Sequence, residues 1–266
     1  MDIESTKNPR VKHVRAVRNG DDRKATCIEG SKLAEEALDA GIGLSLALVS
    51  PKFEASERGA LLLERIECLP CEVKRCSDAV LAQASGVETP QGIIVLGKRR
   101  VHRPEDLARG ARPFIAVVAA VRDPGNVGAI VRSAEAAGAS GFVALQGSAD
   151  PWKDKALRAS AGSIFRLPSL SAVTEAAFVD LAAKQGWTLV ATEMRGGASL
   201  WDMDCGAGPL AFCFGAEGSG LPQSLVDRCS QRVHIPMADG VESLNVSVAA
   251  SLVLFEMRRR NVTGAS

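Results

Sequence analysis

Three stretches carry polar residues where chemistry on a nucleotide could occur. RDPGNVGAIVRSAEAAG (Arg122 to Gly138) directly follows an apolar run, FGAEGSGLP (Phe214 to Pro222) ends a second, and HIPMADGVESLN (His234 to Asn245) ends a third before VSVAASLVLFEMRRR. Turns that pass from the carboxyl end of a strand into a helix leave backbone N–H groups unpaired and outward, and α/β proteins hold nucleotides there. In the first stretch Pro124 and Gly125 make the turn, and Asn126 stands where a helix cap would. Arg132 comes six residues later, set among Ala129, Ile130, Val131 and Ala134, where packing gives its charge no purpose. Taken alone, Glu217 reads equally well as an exposed carboxylate at a helix start, and Asn245 as a polar turn residue.

Other nucleotide chemistries fit less well. GIIVLGKR (Gly92 to Arg99) matches G-x-x-x-x-G-K but has Arg where a P-loop needs Ser or Thr for magnesium, and its IIVL interior has the pattern of a strand. Gly215, Gly218 and Gly220 are spaced G-x-x-G-x-G, which differs from the dinucleotide fingerprint G-x-G-x-x-G. No metal is expected. Cys68, Cys71 and Cys76 lack the second ligand pair of a zinc site, and no His or Cys stands at ligand spacing from His234.

The elements that must position these residues follow an α/β rhythm. Residues 1–97 read as a small α/β domain: a basic helix, a strand at Ala25 to Gly30, and a helix capped by Ser31 and stopped by Gly41. The strand LSLALVS, a helix over Glu57 to Cys68, the strand CEVKRC and the closing strand QGIIVLGK come next, and the alternation implies a mostly parallel sheet. Residues 98–113, rich in Pro, Gly and charge, read as a linker. A second domain spans 114–266, with strands in PFIAVVAAV, GFVAL, WTLVATE, PLAFCFG and QRVHIPM, a helix turn and strand in LRASAGSIFRLPSL, and helices at Ala129 to Ala139 and FVDLAAKQG.

With 266 residues, 46% of them hydrophobic and 24% charged, the chain can bury a sizeable core. No apolar run reaches the roughly 18 residues of a membrane span, the N-terminus lacks a signal-peptide pattern, and seven cysteines without disulfide rhythm suit a reducing compartment. A cytoplasmic location is expected. The net charge of +1 argues against wholesale coating of a polyanion, yet the cations cluster: Lys7, Arg10, Lys12, Arg15 and Arg18 form an acid-free run, Lys98 to Arg103 another, and Arg258 to Arg260 a third. Together they point to nucleic acid.

PGNVGAIVRSAEAAG, GAEGSGLP and IPMADGVESLNVSVAASLVLFE resemble, in order and spacing, the three motifs of the SpoU (TrmH-like) branch of the SPOUT RNA methyltransferases, across residues 114–260. The N-terminal IESTKNPRVKHVRAVRN with CIEGSKLAEEALDAG is similar to the small substrate-binding domain found in many members. The resemblance implies a SPOUT-type α/β catalytic domain with a mostly parallel sheet and a deep trefoil knot, a rare exception to unthreaded topology. It implies S-adenosylmethionine as cofactor, methyl transfer to a ribose 2′-hydroxyl of structured RNA, ribosomal before transfer RNA, and a homodimer, with neither membrane nor DNA as partner. Resistance to ribosome-directed antibiotics lies within the family's range.

By the same resemblance Thr192, Gly215, Ile235 and Leu244 hold the cofactor, largely through backbone atoms. Arg132 activates the hydroxyl with help from an RNA phosphate, while Asn126, Glu217, Ser243 and Asn245 shape the site. A guanidinium with a pKa above about 12 is a poor base, so phosphate orientation and alkoxide stabilisation are an alternative role for Arg132. The competing reading, a non-catalytic RNA-binding protein on the same fold, requires degraded motifs, whereas Asn126, Arg132, Glu217 and Asn245 are all present.

Overall fold

The structure, a computed structural model, describes residues 2–263. Met1 and residues 264–266, which the expected domain limits include, lie outside the described residues. The chain divides into two compact units: everything up to Arg100 together with Trp152–Phe165, and Val101–Pro151 together with Arg166 onward.

The first unit runs α1 (Pro9–Asn19), β1 (Ala25–Glu29), α2 (Ser31–Asp39), β2 (Leu44–Val49), α3 (Pro51–Glu54), α4 (Glu57–Glu67), β3 (Glu72–Arg75), α5 (Asp78–Ala84) and β4 (Ile93–Lys98). Its four strands lie in the order β1-β4-β2-β3. The sheet is mixed, contrary to the parallel expectation: β2 and β3 are parallel across their helical crossover, but β4 runs antiparallel to both β1 and β2. The P-loop-like stretch is thus strand β4, buried from Ile93 to Gly97. Val11, Val14 and Val17, one stripe of α1, pack on Cys27, Leu46, Leu48, Ile94 and Leu96. Ser31 is the first residue of α2 and does not cap it; Gly30 holds the cap position at φ 95°, which a side chain would strain.

The second unit contains β5 (Phe114–Val118), α6 (Pro124–Ala137) and β6 (Gly141–Leu145). The chain then contributes α7 (Asp154–Ser160) to the first unit and returns as β7 (Ser169–Val173), α8 (Glu175–Gln185), β8 (Thr188–Glu193), β9 (Ala198–Ser199), β10 (Leu210–Phe214), α9 (Gln223–Val226), β11 (Gln231–His234) and α10 (Val246–Thr263). Thus 152–165, expected within the second domain, packs on the first unit: the Thr26 hydroxyl donates to the Trp152 carbonyl at 2.7 Å, and the buried rings of Trp152 and Phe165 lie 6.0 Å apart. The stretch expected as a linker begins at the last residue of β4 and includes a turn of 3-10 helix, Pro104–Leu107, whose Leu107 is buried in the second unit's core.

Seven strands in the order β7-β6-β5-β10-β8-β11-β9 form the large sheet, and every pairing is parallel. β5, β6 and β10 are buried along their whole length, as expected of strands covered on both faces. Successive strands step from β5 through β6 to β7 in one direction, whereas β8, β10 and β11 lie on the other side of β5. Their carboxyl ends therefore open a crevice at a switch point in strand order, where α/β sheets bind ligands.

α6 and α10 pack against each other, joined by the hydroxyls of Ser133 and Ser251 at 2.7 Å. α10 also fastens the segment after β9: buried Arg260 donates to the carbonyls of Leu200, Trp201 and Met203 and to Glu256 one turn away. The carboxyl of Glu256 is pulled down to about 2, first by the Arg259 guanidinium and then by Arg260. Among the described residues no helix is long and apolar enough to cross a membrane.

Candidate active site

α6 begins earlier than its apolar pattern indicates. Asp123 is the cap, its Oδ1 accepting from the N–H of Asn126 at 3.0 Å, and Pro124 takes the first helical position, where its missing donor costs nothing. Asn126, expected as the cap, lies inside the first turn, which releases its side-chain amide for other partners.

Those partners come from two distant loops. Asn126 Nδ2 donates to Glu217 Oε1 at 3.0 Å, and Asn245 Nδ2 donates both to the same Oε1 and to Asn126 Oδ1, the latter at 3.2 Å. Asn245 is oriented by its own position at the start of α10. Its Oδ1 accepts from Ser247 N at 2.9 Å, from Ser247 Oγ at 2.6 Å and from Val248 N at 3.4 Å. An amide whose oxygen is so occupied must turn its NH₂ away from the helix, here towards Glu217 and Asn126. Glu217 Oε2 accepts no hydrogen bond among the described residues, which leaves an acceptor for a ligand.

Glu217 stands on a folded-back loop. The backbones of Ala216 and Gly220 exchange hydrogen bonds at 3.0 and 2.9 Å. A Cβ on Gly215 would come within 2.1 Å of the Gly220 carbonyl carbon and 2.2 Å of Leu221 N, so only glycine permits this turn. Gly197, at φ 69°, closes against Arg232 in the same way on the far side of β11.

Around this loop lies a cavity of about 980 Å³. Thr192, Gly215, Glu217, Ile235, Ser243, Leu244 and Asn245 all line it, so the four expected cofactor residues and three of the expected site residues converge at the carboxyl ends of β8, β10 and β11. Thr192 is fixed by its hydroxyl on the Cys213 carbonyl, at 2.7 Å. The wall also holds Glu242 of the third motif and Glu193, Met194, Arg195 and His234, which lie outside the three motifs. His234, expected to hold no metal, meets the Gly196 carbonyl through Nδ1 at 3.1 Å and lines the cavity. A second, smaller cavity of about 310 Å³ shares Ala216, Glu217, Ser219 and Val246 with the first and adds Asn126 and Ala120 to Asp123.

Arg132 is absent from both cavity walls. It lies exposed on α6, next to Ser133, which bonds α10. The basic run near the N-terminus is also largely committed within its own unit. Arg10 forks onto Glu72 with both contacts at 3.1 Å, Arg15 donates to the Gln83 carbonyl at 2.8 Å, and Arg18 donates to the Ala84 carbonyl at 2.6 Å. Lys7 and Lys12 are exposed, and their ammonium groups bond none of the described residues.

The SpoU rRNA Methylase family profile matches residues 113–255, and the MRM3-like substrate binding domain matches residues 8–95. An uncharacterized tRNA/rRNA methyltransferase of Synechocystis is 31% identical over 97% of this chain and 93% of its own length. The 23S rRNA (guanosine(2553)-2′-O)-methyltransferase RlmP of Bacillus subtilis is 30% identical over 96% of this chain and 98% of its own. Among solved structures, the AdoMet-bound rRNA methyltransferase from Sinorhizobium meliloti superposes with a TM-score of 0.84 at 30% identity, covering 98% of both chains. By its motifs, its sheet and these likenesses, the chain belongs to the SpoU rRNA methylase family.

Proposed function

We propose that the protein transfers the methyl group of S-adenosylmethionine to a ribose 2′-hydroxyl of ribosomal RNA. The observation that carries this reading is the cluster of Asn126, Glu217 and Asn245 at the boundary of two connected cavities, one large enough for the cofactor and one beside it. The larger fits the cofactor chemically: its volume lies at the upper end of the roughly 300–1,000 Å³ of small-molecule sites, Ile235, Leu244 and Val253 offer an apolar face for adenine, and the turn that Gly215 alone permits lines the wall. Thr192, Gly215, Ile235 and Leu244 hold it there. When bound, S-adenosylmethionine supplies an electrophilic methyl group on a sulfonium centre.

The chain's own residues contribute position. Asn126 and Asn245 fix one oxygen of Glu217, so its Oε2 is left to accept the hydrogen bond of the incoming hydroxyl and to take up the proton that the hydroxyl loses as its oxygen is methylated. Ser243 lines the approach. Holding the nucleophile in such an arrangement removes much of the entropic barrier of a bimolecular reaction.

Arg132 completes the site of a second copy in a homodimer. The support is its exposure away from its own cavities, together with an apolar stripe on neighbouring α10: Val248, Leu252 and Phe255, each 40–49% exposed, recur at helical spacing on one face. Docked on a partner, that face places Arg132 at the other site, where its charge orients an RNA phosphate and stabilises the developing alkoxide. The threaded path of the large unit's last segment, a trefoil knot, and a cytoplasmic location belong to the same reading. Of the N-terminal cations, Lys7 and Lys12 reach RNA, while Arg10, Arg15 and Arg18 hold α1 in place.

Incubation with methyl-labelled S-adenosylmethionine and total bacterial RNA, followed by alkaline hydrolysis, tests the reading. Label in alkali-resistant dinucleotides of ribosomal RNA is expected; label on a base, or none, refutes it.

A further inference from the structure

The smaller cavity has a wall that the cofactor does not need. Its rim carries Arg122, exposed and bonded to none of the described residues, while its neighbour Asp123 is occupied in capping α6. The wall is rigid: Ala119 N donates to the Phe214 carbonyl at 2.9 Å and Ala149 N to the Val121 carbonyl at 2.8 Å. Between these anchors Ala120 is held at φ 58°, a left-handed conformation that a non-glycine residue adopts at a cost of order 1 kcal/mol and that gathers at ligand sites.

We propose that Arg122 grips the phosphodiester beside the acceptor nucleoside seated in this cavity. The inference rests on the methyl-transfer reading and adds to it a residue that binds the RNA backbone. At about 310 Å³ the cavity has the size of a small-molecule site at the low end of its range, room for one nucleoside. It meets the larger cavity at Glu217, so a ribose seated there presents its 2′-oxygen at the shared carboxylate. In an oligonucleotide the phosphate follows the adjacent 3′-oxygen, and a seated ribose carries that phosphate to the rim. A planar guanidinium with five donors suits bidentate capture of it.

The test compares wild type, Arg122→Ala, Arg122→Lys and a control, Arg228→Ala, another exposed arginine beyond both cavities. Binding to in vitro transcribed 23S rRNA is measured by filter retention at several salt concentrations, and S-adenosylhomocysteine binding by calorimetry. Arg122→Ala is expected to weaken RNA binding about tenfold and to flatten the log–log salt slope by about 0.7–0.9, the loss of one phosphate contact. Arg122→Lys should retain the slope, and S-adenosylhomocysteine affinity should not change in any variant. An unchanged slope for Arg122→Ala, an equal loss for Arg228→Ala, or weakened S-adenosylhomocysteine binding overturns the proposal. Because the readout is binding, an absence of methyl transfer by wild type would refute the activity while leaving this test decisive.

Discussion

Replacing Arg260 with methionine should destabilise the protein by about 3–5 kcal/mol, the usual cost of removing one partner from a buried ion pair. Methionine keeps the apolar stem and deletes the donors, so the loss is electrostatic and not a cavity. Arg260 is 5% exposed and donates to Glu256 at 2.7 Å, to the Met203 carbonyl at 2.6 Å, and to the Trp201 and Leu200 carbonyls at 2.9 and 3.0 Å. Each buried acceptor left unsatisfied costs about 1–3 kcal/mol. Leu200, Met203 and Glu256 are buried, whereas Trp201 is half-exposed and its carbonyl can turn to water. Arg259 still pairs with Glu256 at 2.7 Å, which offsets part of the third loss. Three incomplete penalties therefore converge on the ion-pair figure. Urea unfolding followed by tryptophan fluorescence measures the change, and Trp201 reports locally. A second variant, Arg260→Met with Glu256→Met, should be more stable than Arg260→Met alone, since no charge is then stranded. A loss below about 1 kcal/mol in the single variant would refute the assigned role of the clamp.

The same clamp predicts a pH dependence. With its folded pKa drawn from 4.5 down to about 2, Glu256 contributes stability that is full above pH 4.5 and lost as pH falls towards 2, so the acid-induced loss in urea titrations should be smaller in Glu256→Gln. Asn245→Ala removes the α10 cap and both donors to the site; about 1 kcal/mol of stability and at least about 100-fold of methyl-transfer rate should go, read by urea midpoint and single-turnover kinetics. Ser247→Ala should lower turnover about three- to tenfold by freeing the Asn245 amide, with Ser247→Thr restoring it. Gly215→Ala, whose Cβ meets backbone at 2.1 Å, should cost roughly 1–3 kcal/mol and weaken S-adenosylhomocysteine binding in calorimetry.

The large sheet was legible because burial on both faces writes itself as unbroken apolar runs, as in Phe114–Val118 and Leu210–Phe214. The first unit's mixed sheet was not, since a β-α alternation records spacing and not direction, and β4 reverses after α5. Most residues expected at the site line the larger cavity, but the place of Asn126 within its helix was misread. Asp123 followed by Pro124 was the available signal for an earlier helix start, and it reassigns Asn126 from cap to bridge. Glu193 and Arg195 enter the cavity wall only through the order of strands, which no local pattern contains. The partners of the basic run were illegible for a similar reason: Glu72 and the carbonyls of Gln83 and Ala84, more than sixty residues along the chain, bond Arg10, Arg15 and Arg18.

In the proposed reaction Asn126, Glu217 and Asn245 arrange a ribose hydroxyl for methylation. Mass spectrometry of nucleosides from 23S rRNA incubated with S-adenosylmethionine and either wild type or Glu217→Gln tests this arrangement. A single 2′-O-methylnucleoside formed by wild type and reduced at least about 100-fold in the variant, with S-adenosylhomocysteine affinity retained, is the predicted result. A base-methylated nucleoside, or equal yield from both proteins, would contradict it.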